Sequence, residues 1–171
     1  MPAISLRIAL AAVGLLAGGA LFAAMASEWW GGLVPCALCL LGRWPYRVAI
    51  AAALVGVLLP ARWVRWGAAA AGLAMLASVA IGVVHVGVEA KWWPSPLPGC
   101  VVRLSAGGSP AEQLARLPER PAKPCDDPTY LLAFLPLSMA AMSLIFSLGL
   151  VVVLGGTLYR TSLPQTGRSV P

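Results

Sequence analysis

Val34-Pro35-Cys36-Ala37-Leu38-Cys39-Leu40-Leu41-Gly42-Arg43 opens a run that carries no charge other than Arg43 and Arg47 until it ends at Leu59-Pro60. Two thiols three residues apart stand where a Gly31-Gly32 loop gives way to an apolar stretch of helical length. Pro35 suits the first turn of a helix, where its missing N–H costs nothing. A helix starting there places Cys36 and Cys39 in its first turn and on one face. The free N–H groups and the positive end of the helix dipole then favour thiolate, the reactive form of cysteine. The stretch reads as a redox pair rather than as two packing residues.

The rest of the chain says where this pair lives. Hydrophobic residues make up 60 % of the sequence and charged residues 11 %, against roughly 25 % charged in soluble chains. Apolar runs are expected to span a bilayer at 6–26, 35–59, 67–88 and 130–158, since ~20 residues at ~1.5 Å each cross a ~30 Å hydrocarbon core. The expected fold is therefore all-α: a single integral membrane domain, 1–171, forming a four-helix bundle. Loops 27–34 and 89–129 lie on one side, the second being long, Pro-rich and between helices three and four. Ala111 to Leu117 could form a short amphipathic helix on the membrane surface. Ala24-Met25-Ala26 resembles a signal-peptidase site, but the run before it exceeds the ~7–15 residues of a signal core, so a retained helix is expected. Either outcome leaves the next loop on the same side.

The net charge of +6 is read by position, as orientation rather than as a nucleic-acid footprint. Arg7, Arg62, Arg65, Arg160 and Arg168 lie on one side with no acidic residue among them, whereas the basic residues of the long loop are offset by acidic ones. The positive-inside rule makes both termini cytoplasmic and turns all four cysteines outward. The seven tryptophans and three tyrosines fall near the proposed span ends, as an interfacial aromatic belt requires.

Cys36, Cys39, Cys100 and Cys125 form one close pair and one distant pair in sequence order. On the outer side of a bacterial-type membrane disulfides persist, and a staple in the Pro-rich loop serves Cys100 and Cys125 as well as a redox role does. A disulfide across Cys36 and Cys39 closes too short a loop to stabilise much, so redox chemistry is the better reading there. Four cysteines suffice by count for zinc, but the second pair lacks Cys-x-x-Cys spacing, and no metal is assigned. Arg43, four residues after Cys39 and seven after Cys36, shares their helical face and can stabilise a thiolate or hydrogen-bond a carbonyl oxygen. Arg47 is read as snorkelling to the headgroups. His85, with Glu89 four residues on, is either an interfacial Glu–His pair or a proton-handling, ligand-binding residue. Met139 and Met142 are read as packing. Pro45 inside the second helix should kink it or unwind it locally.

Pro35-Cys36-Ala37-Leu38-Cys39 followed by Arg43 resembles the signature of the DsbB family of quinone-dependent membrane disulfide oxidoreductases. Trp93-Pro94-Ser95-Pro96 before Cys100 looks like the family's approach to its second pair. Cys125-Asp126-Asp127 followed by Phe134-Leu135-Pro136-Leu137-Ser138-Met139 is similar to its entry into the last helix. Gly42 departs from the pattern, standing where a polar or acidic residue is expected, and the Gly-Gly-Ser-Pro stretch at 107–110 looks like an insertion in the long loop. The resemblance implies an enzyme of the bacterial inner membrane, with a relay through Cys100, Cys125, Cys36 and Cys39. Its electrons would come from a periplasmic thioredoxin-fold dithiol oxidase (DsbA-like) and go to ubiquinone or menaquinone, with Arg43 and His85 toward the quinone. The alternatives are a vitamin-K-epoxide-reductase-like enzyme, whose Cys-x-x-Cys should lie in a late span, and a non-enzymatic metal-binding membrane protein.

Overall fold

The computed structural model describes residues 2–100, 109, 123–131 and 136–162. The amphipathic helix expected at 111–117 lies outside them. Four helices carry the fold: α1 Pro2–Trp29, α2 Ala37–Leu58, α3 Ala61–Glu89 and α4 Met139–Ser162, with a 3-10 turn at Pro98–Cys100 before the disulfide loop. All four are long and apolar enough to cross a membrane, and no strand is formed among the described residues. The protein is a four-helix membrane bundle.

Successive helices run antiparallel, and α2 packs most extensively on α3, α3 on α4, and α1 on α2, with α1 also meeting α4. The core is built from small side chains: Ala17, Ala49, Ala53, Ala68 and Ala71 are buried among Leu6, Leu10, Val13, Met75 and Leu154. Association in lipid depends on close van der Waals packing, because lipid tails are as apolar as leucine, and small residues permit the approach. The α2–α3 crossing is the tightest case: a Cβ on Gly67 would stand 2.6 Å from the Cα of Gly56. Leucines and valines on the outer faces, such as Leu15, Leu58, Leu73 and Val152, are exposed, as a lipid-facing surface requires.

Helix ends follow from local chemistry. Cys36, not Pro35, caps α2: its backbone is extended and its sulfur accepts the N–H of Cys39. The helix thus starts two residues later than expected, and Cys36 stands just ahead of the span. Pro45 lies inside α2 without interrupting it; the expected unwinding does not occur. The proline gives up one backbone hydrogen bond, a loss that packed membrane helices tolerate. At the other end, Arg7 donates to the carbonyl of Leu59, the C-cap of α2, where a cation suits the dipole. α4 starts at Met139 rather than near Tyr130. Pro136 biases the residue before it away from helix, and Ser138 then caps, its Oγ accepting the N–H of Ala141 at 3.1 Å. The ends of α1 and α3 and the starts of α2 and α4 therefore gather at one end of the bundle, where all four cysteines lie.

Candidate functional site

The loop after α3 is folded back onto the bundle by one aromatic side chain. α3 ends in a Schellman-type turn, with Trp92 N–H bonded to Gly87 C=O and Lys91 N–H to Val88 C=O. Trp93 then lies across Gly87 and donates its indole N–H to Val84 C=O at 3.1 Å. A Cβ on Gly87 would meet the indole at 1.9 Å, so only glycine leaves room for it. This directs Pro94–Cys100 over the α2 N-terminus.

Cys100 and Cys125 are joined in a disulfide with Cα atoms 4.9 Å apart, and Cys125 N–H bonds to Cys100 C=O. Lys123, two residues earlier, forms a backbone bridge with Cys36. Consequently Cys36, Cys100 and Cys125 are buried in one cluster with Leu38 and Val88, and Cys39 packs against it. The distant pair rests directly on the close pair. Cys100, but not Cys125, also lines an outward cleft of about 570 Å3 with Lys91, Trp93 and Asp126.

Cys36 and Cys39 are free thiols with their sulfurs 2.9 Å apart. His85 reaches them from α3, its Nε2 3.5 Å from Cys36 Sγ. Cys36 is held well below the usual thiol range, first by the hydrogen bond with the Cys39 side chain. Burial opposes this, and His85 and the Cys39 backbone N–H reinforce it. These contacts favour the thiolate form of Cys36.

His85 is buried (6 % exposed) and pairs with Glu89, as its i+4 spacing suggests, while also reaching the thiols. Its Nε2 stands 3.9 Å from Glu89 Oε1, and Glu89 Oε2 accepts a hydrogen bond from Ser138 Oγ at 2.5 Å. A polar line thus runs from the α4 cap through α3 to the thiols. Ser138, read from the sequence only as part of the entry motif of the last helix, was not assigned a link to Glu89; a serine two residues after Pro136 and just before an apolar run was the available signal for its capping role.

Cys39, Arg43 and His85 share the wall of an apolar cavity of about 520 Å3, with Tyr46, Met139 and Met142 on the same wall. Leu15 and Leu16, also in its wall, are exposed, so the cavity opens sideways onto the lipid-facing surface. The two methionines read as packing residues supply part of this apolar wall. Arg43 forms an ion pair with Glu28 near the end of α1, a partner the sequence reading did not name. The pairing accounts for an arginine at this depth, and a guanidinium carries five N–H donors, so others stay available. Arg47, by contrast, is exposed and lies over the Trp44 ring, 5.2 Å from its centroid.

Fold and site together define a multi-pass membrane protein with one disulfide stacked on a pair of free thiols. Residues 6–156 match the family model described as Disulfide bond formation protein DsbB. The chain belongs to the DsbB family, and with it to membrane disulfide-bond formation. No curated protein and no solved structure matches the chain.

Proposed function

We propose that this protein reoxidises a periplasmic thioredoxin-fold dithiol oxidase and passes the electron pair to a membrane quinone, within a single domain in the bacterial inner membrane. Both termini face the cytoplasm and both cysteine pairs the periplasm.

The observation that carries this reading is the position of the close pair between two environments. On one side Cys36 shares a buried cluster with Cys100 and Cys125. On the other, Cys39 shares a lipid-facing cavity with Arg43 and His85. A soluble dithiol cannot reach bilayer depth and a quinone cannot leave it, so a two-station relay is needed.

The partner's thiolate attacks Cys100 Sγ, the sulfur of the one disulfide residue that lines the outward cleft, and displaces Cys125 as a thiolate. Cys125 attacks Cys36 of the Cys36–Cys39 disulfide, which releases Cys39. The partner's second thiol frees Cys100, and Cys100 attacks Cys125, restoring the loop disulfide and releasing Cys36. The net result is an oxidised partner and a reduced Cys36/Cys39 pair, the redox form of this structure. The last of these exchanges expels Cys36, and a thiol of lowered pKa leaves faster, which the surroundings of Cys36 favour.

A quinone, when bound, supplies the two-electron, two-proton acceptor that closes the cycle. The cavity fits such a group: its walls are apolar, and its few polar side chains include a guanidinium that can donate to a ring carbonyl. His85, adjacent to Cys36 and backed by Glu89, is placed to take the thiol proton. A vitamin-K-epoxide-reductase-like assignment is disfavoured because the Cys-x-x-Cys opens the second helix.

The test is quinone reduction by purified protein given a reduced thioredoxin-fold partner. Cys39→Ser should abolish it. Arg43→Ala should raise the quinone requirement while leaving exchange with the partner intact. Undiminished turnover by the Cys39 variant would refute the relay.

A further inference from the structure

We infer that the reduced Cys36/Cys39 pair and His85 form a binding site for a thiophilic closed-shell cation, Zn2+, whose occupancy holds the dithiol out of the redox cycle. Binding itself depends on neither quinone nor partner; its consequence for the redox cycle rests on the function proposed above.

Cys36 Sγ, Cys39 Sγ and a ring nitrogen of His85 all lie within 4.8 Å of one another. Tetrahedral zinc takes bonds of ~2.3 Å to sulfur and ~2.0–2.1 Å to imidazole, which sets ligand edges of about 3.8 Å for S···S and about 3.6 Å for S···N. The Cys36 Sγ to His85 Nε2 separation is 3.5 Å, already at that edge. The two sulfurs, 2.9 Å apart, need to open by about 0.9 Å to reach the S···S edge, a change within reach of a Cys39 χ1 adjustment.

The frame holding these ligands is rigid. Cys36 is fixed as the cap of α2 and by its bridge to Lys123, and His85 sits in mid-turn of α3, buried. Glu89 Oε1, 3.9 Å from His85 Nε2, brings a carboxylate to the edge of the site. The fourth position faces the cavity in whose wall Cys39 and His85 stand and takes no ligand from these three side chains. Three protein ligands and an open position form a recurrent zinc arrangement.

Binding expels the remaining thiol protons and oxidises nothing: Zn2+ plus the Cys36/Cys39 dithiol gives the dithiolate complex and the protons. Both sulfur lone pairs that would form the Cys36–Cys39 bond are then engaged by the metal. The oxidised pair offers no thiolate, so the site exists only in the reduced half of the cycle, and free zinc would act as a brake on that half. The expectation drawn from cysteine counting was a four-cysteine site or none. Geometry instead excludes the disulfide-bonded loop pair and recruits a histidine.

The experiment uses the full chain in detergent, with the Cys100–Cys125 disulfide intact and Cys36/Cys39 reduced. Titration with Co2+ should give a thiolate-to-cobalt charge-transfer band and tetrahedral d–d bands at one ion per chain, displaced by Zn2+. Zn2+ should also protect both thiols from alkylation. His85→Ala should weaken Zn2+ binding by at least about tenfold, and prior oxidation of the pair should abolish it. Absence of a thiolate band in folded wild-type protein, with helicity checked by circular dichroism, overturns the inference. So does equal Zn2+ affinity in the His85→Ala or the oxidised protein. Electron-transfer assays are not part of this titration, so a failure of the quinone reading leaves its outcome unaffected.

Discussion

Replacing Gly87 with alanine places a methyl carbon 1.9 Å, 2.3 Å and 2.6 Å from three carbons of the Trp93 indole. No atom pair tolerates such distances, and an indole cannot deform, so the ring must leave its seat. Its N–H bond to Val84 C=O, at 3.1 Å, goes with it. Overpacking of a fitted contact costs ~1–3 kcal/mol and a lost hydrogen bond ~0.5–1.5 kcal/mol. Because Trp93 is already 40 % exposed, the ring has room to swing outward, and a total of about 2 kcal/mol is expected from these two terms. The functional effect should exceed the loss of stability, because Trp93 starts the segment that carries Cys100 over Cys36. Equilibrium unfolding in mixed micelles measures the first effect, and stopped-flow exchange with a reduced thioredoxin-fold partner the second. Trp93→Ala should remove the penalty of Gly87→Ala, so that the double variant is no less stable than Trp93→Ala alone. A Gly87→Ala protein within about 0.5 kcal/mol of wild type, the usual scatter of innocuous surface changes, with an unchanged exchange rate, would refute the reasoning.

Other perturbations address the ties around the cavity. Glu28→Ala strands Arg43, only 13 % exposed at its side chain, and should cost up to about 2.5–3.5 kcal/mol in micelle unfolding, the range for a charge at mid-membrane; Glu28→Gln should cost less. Ser138→Ala removes both the cap of α4 and the hydrogen bond to Glu89, and a loss of about 1–2 kcal/mol is expected in the same measurement. Tyr46→Phe removes the hydroxyl that reaches Ser143 from α2 at 3.2–3.3 Å, worth about 0.6 kcal/mol among membrane helices.

The four spans were legible because each apolar run is long enough to have no soluble alternative. Their ends were less so. At α2 the shift to Ala37 arises because Cys36 spends its sulfur on the Cys39 N–H, a choice that proline-first statistics do not encode. At α4 the residues from Tyr130 to Leu137 are nearly as apolar as a span, and only Pro136 and Ser138 mark the start. For the site, thiol spacing and Arg43 could be read along one helix, since i, i+3 and i+7 neighbours are fixed by helical period. The contact of His85 with Cys36 depends on the register between α2 and α3, which the Gly56–Gly67 crossing sets and no local pattern reveals. The pairing of Glu28 with Arg43 was hidden for the same reason: a single acidic residue in an apolar chain announces a partner without saying which.

The relay stands or falls on whether a disulfide can pass between the stacked pairs. Cys39→Ser/Cys100→Ser leaves Cys36 and Cys125 as the only thiols, one from each pair. Mild oxidation of the solubilised protein followed by peptide mass spectrometry should find a Cys36–Cys125 disulfide within one chain. The matched Cys36→Ser/Cys100→Ser protein, which keeps Cys39 at the cavity wall, should form the corresponding bond more slowly. Free thiols or only chain-to-chain disulfides in the first variant, in protein of native helicity, would contradict the account.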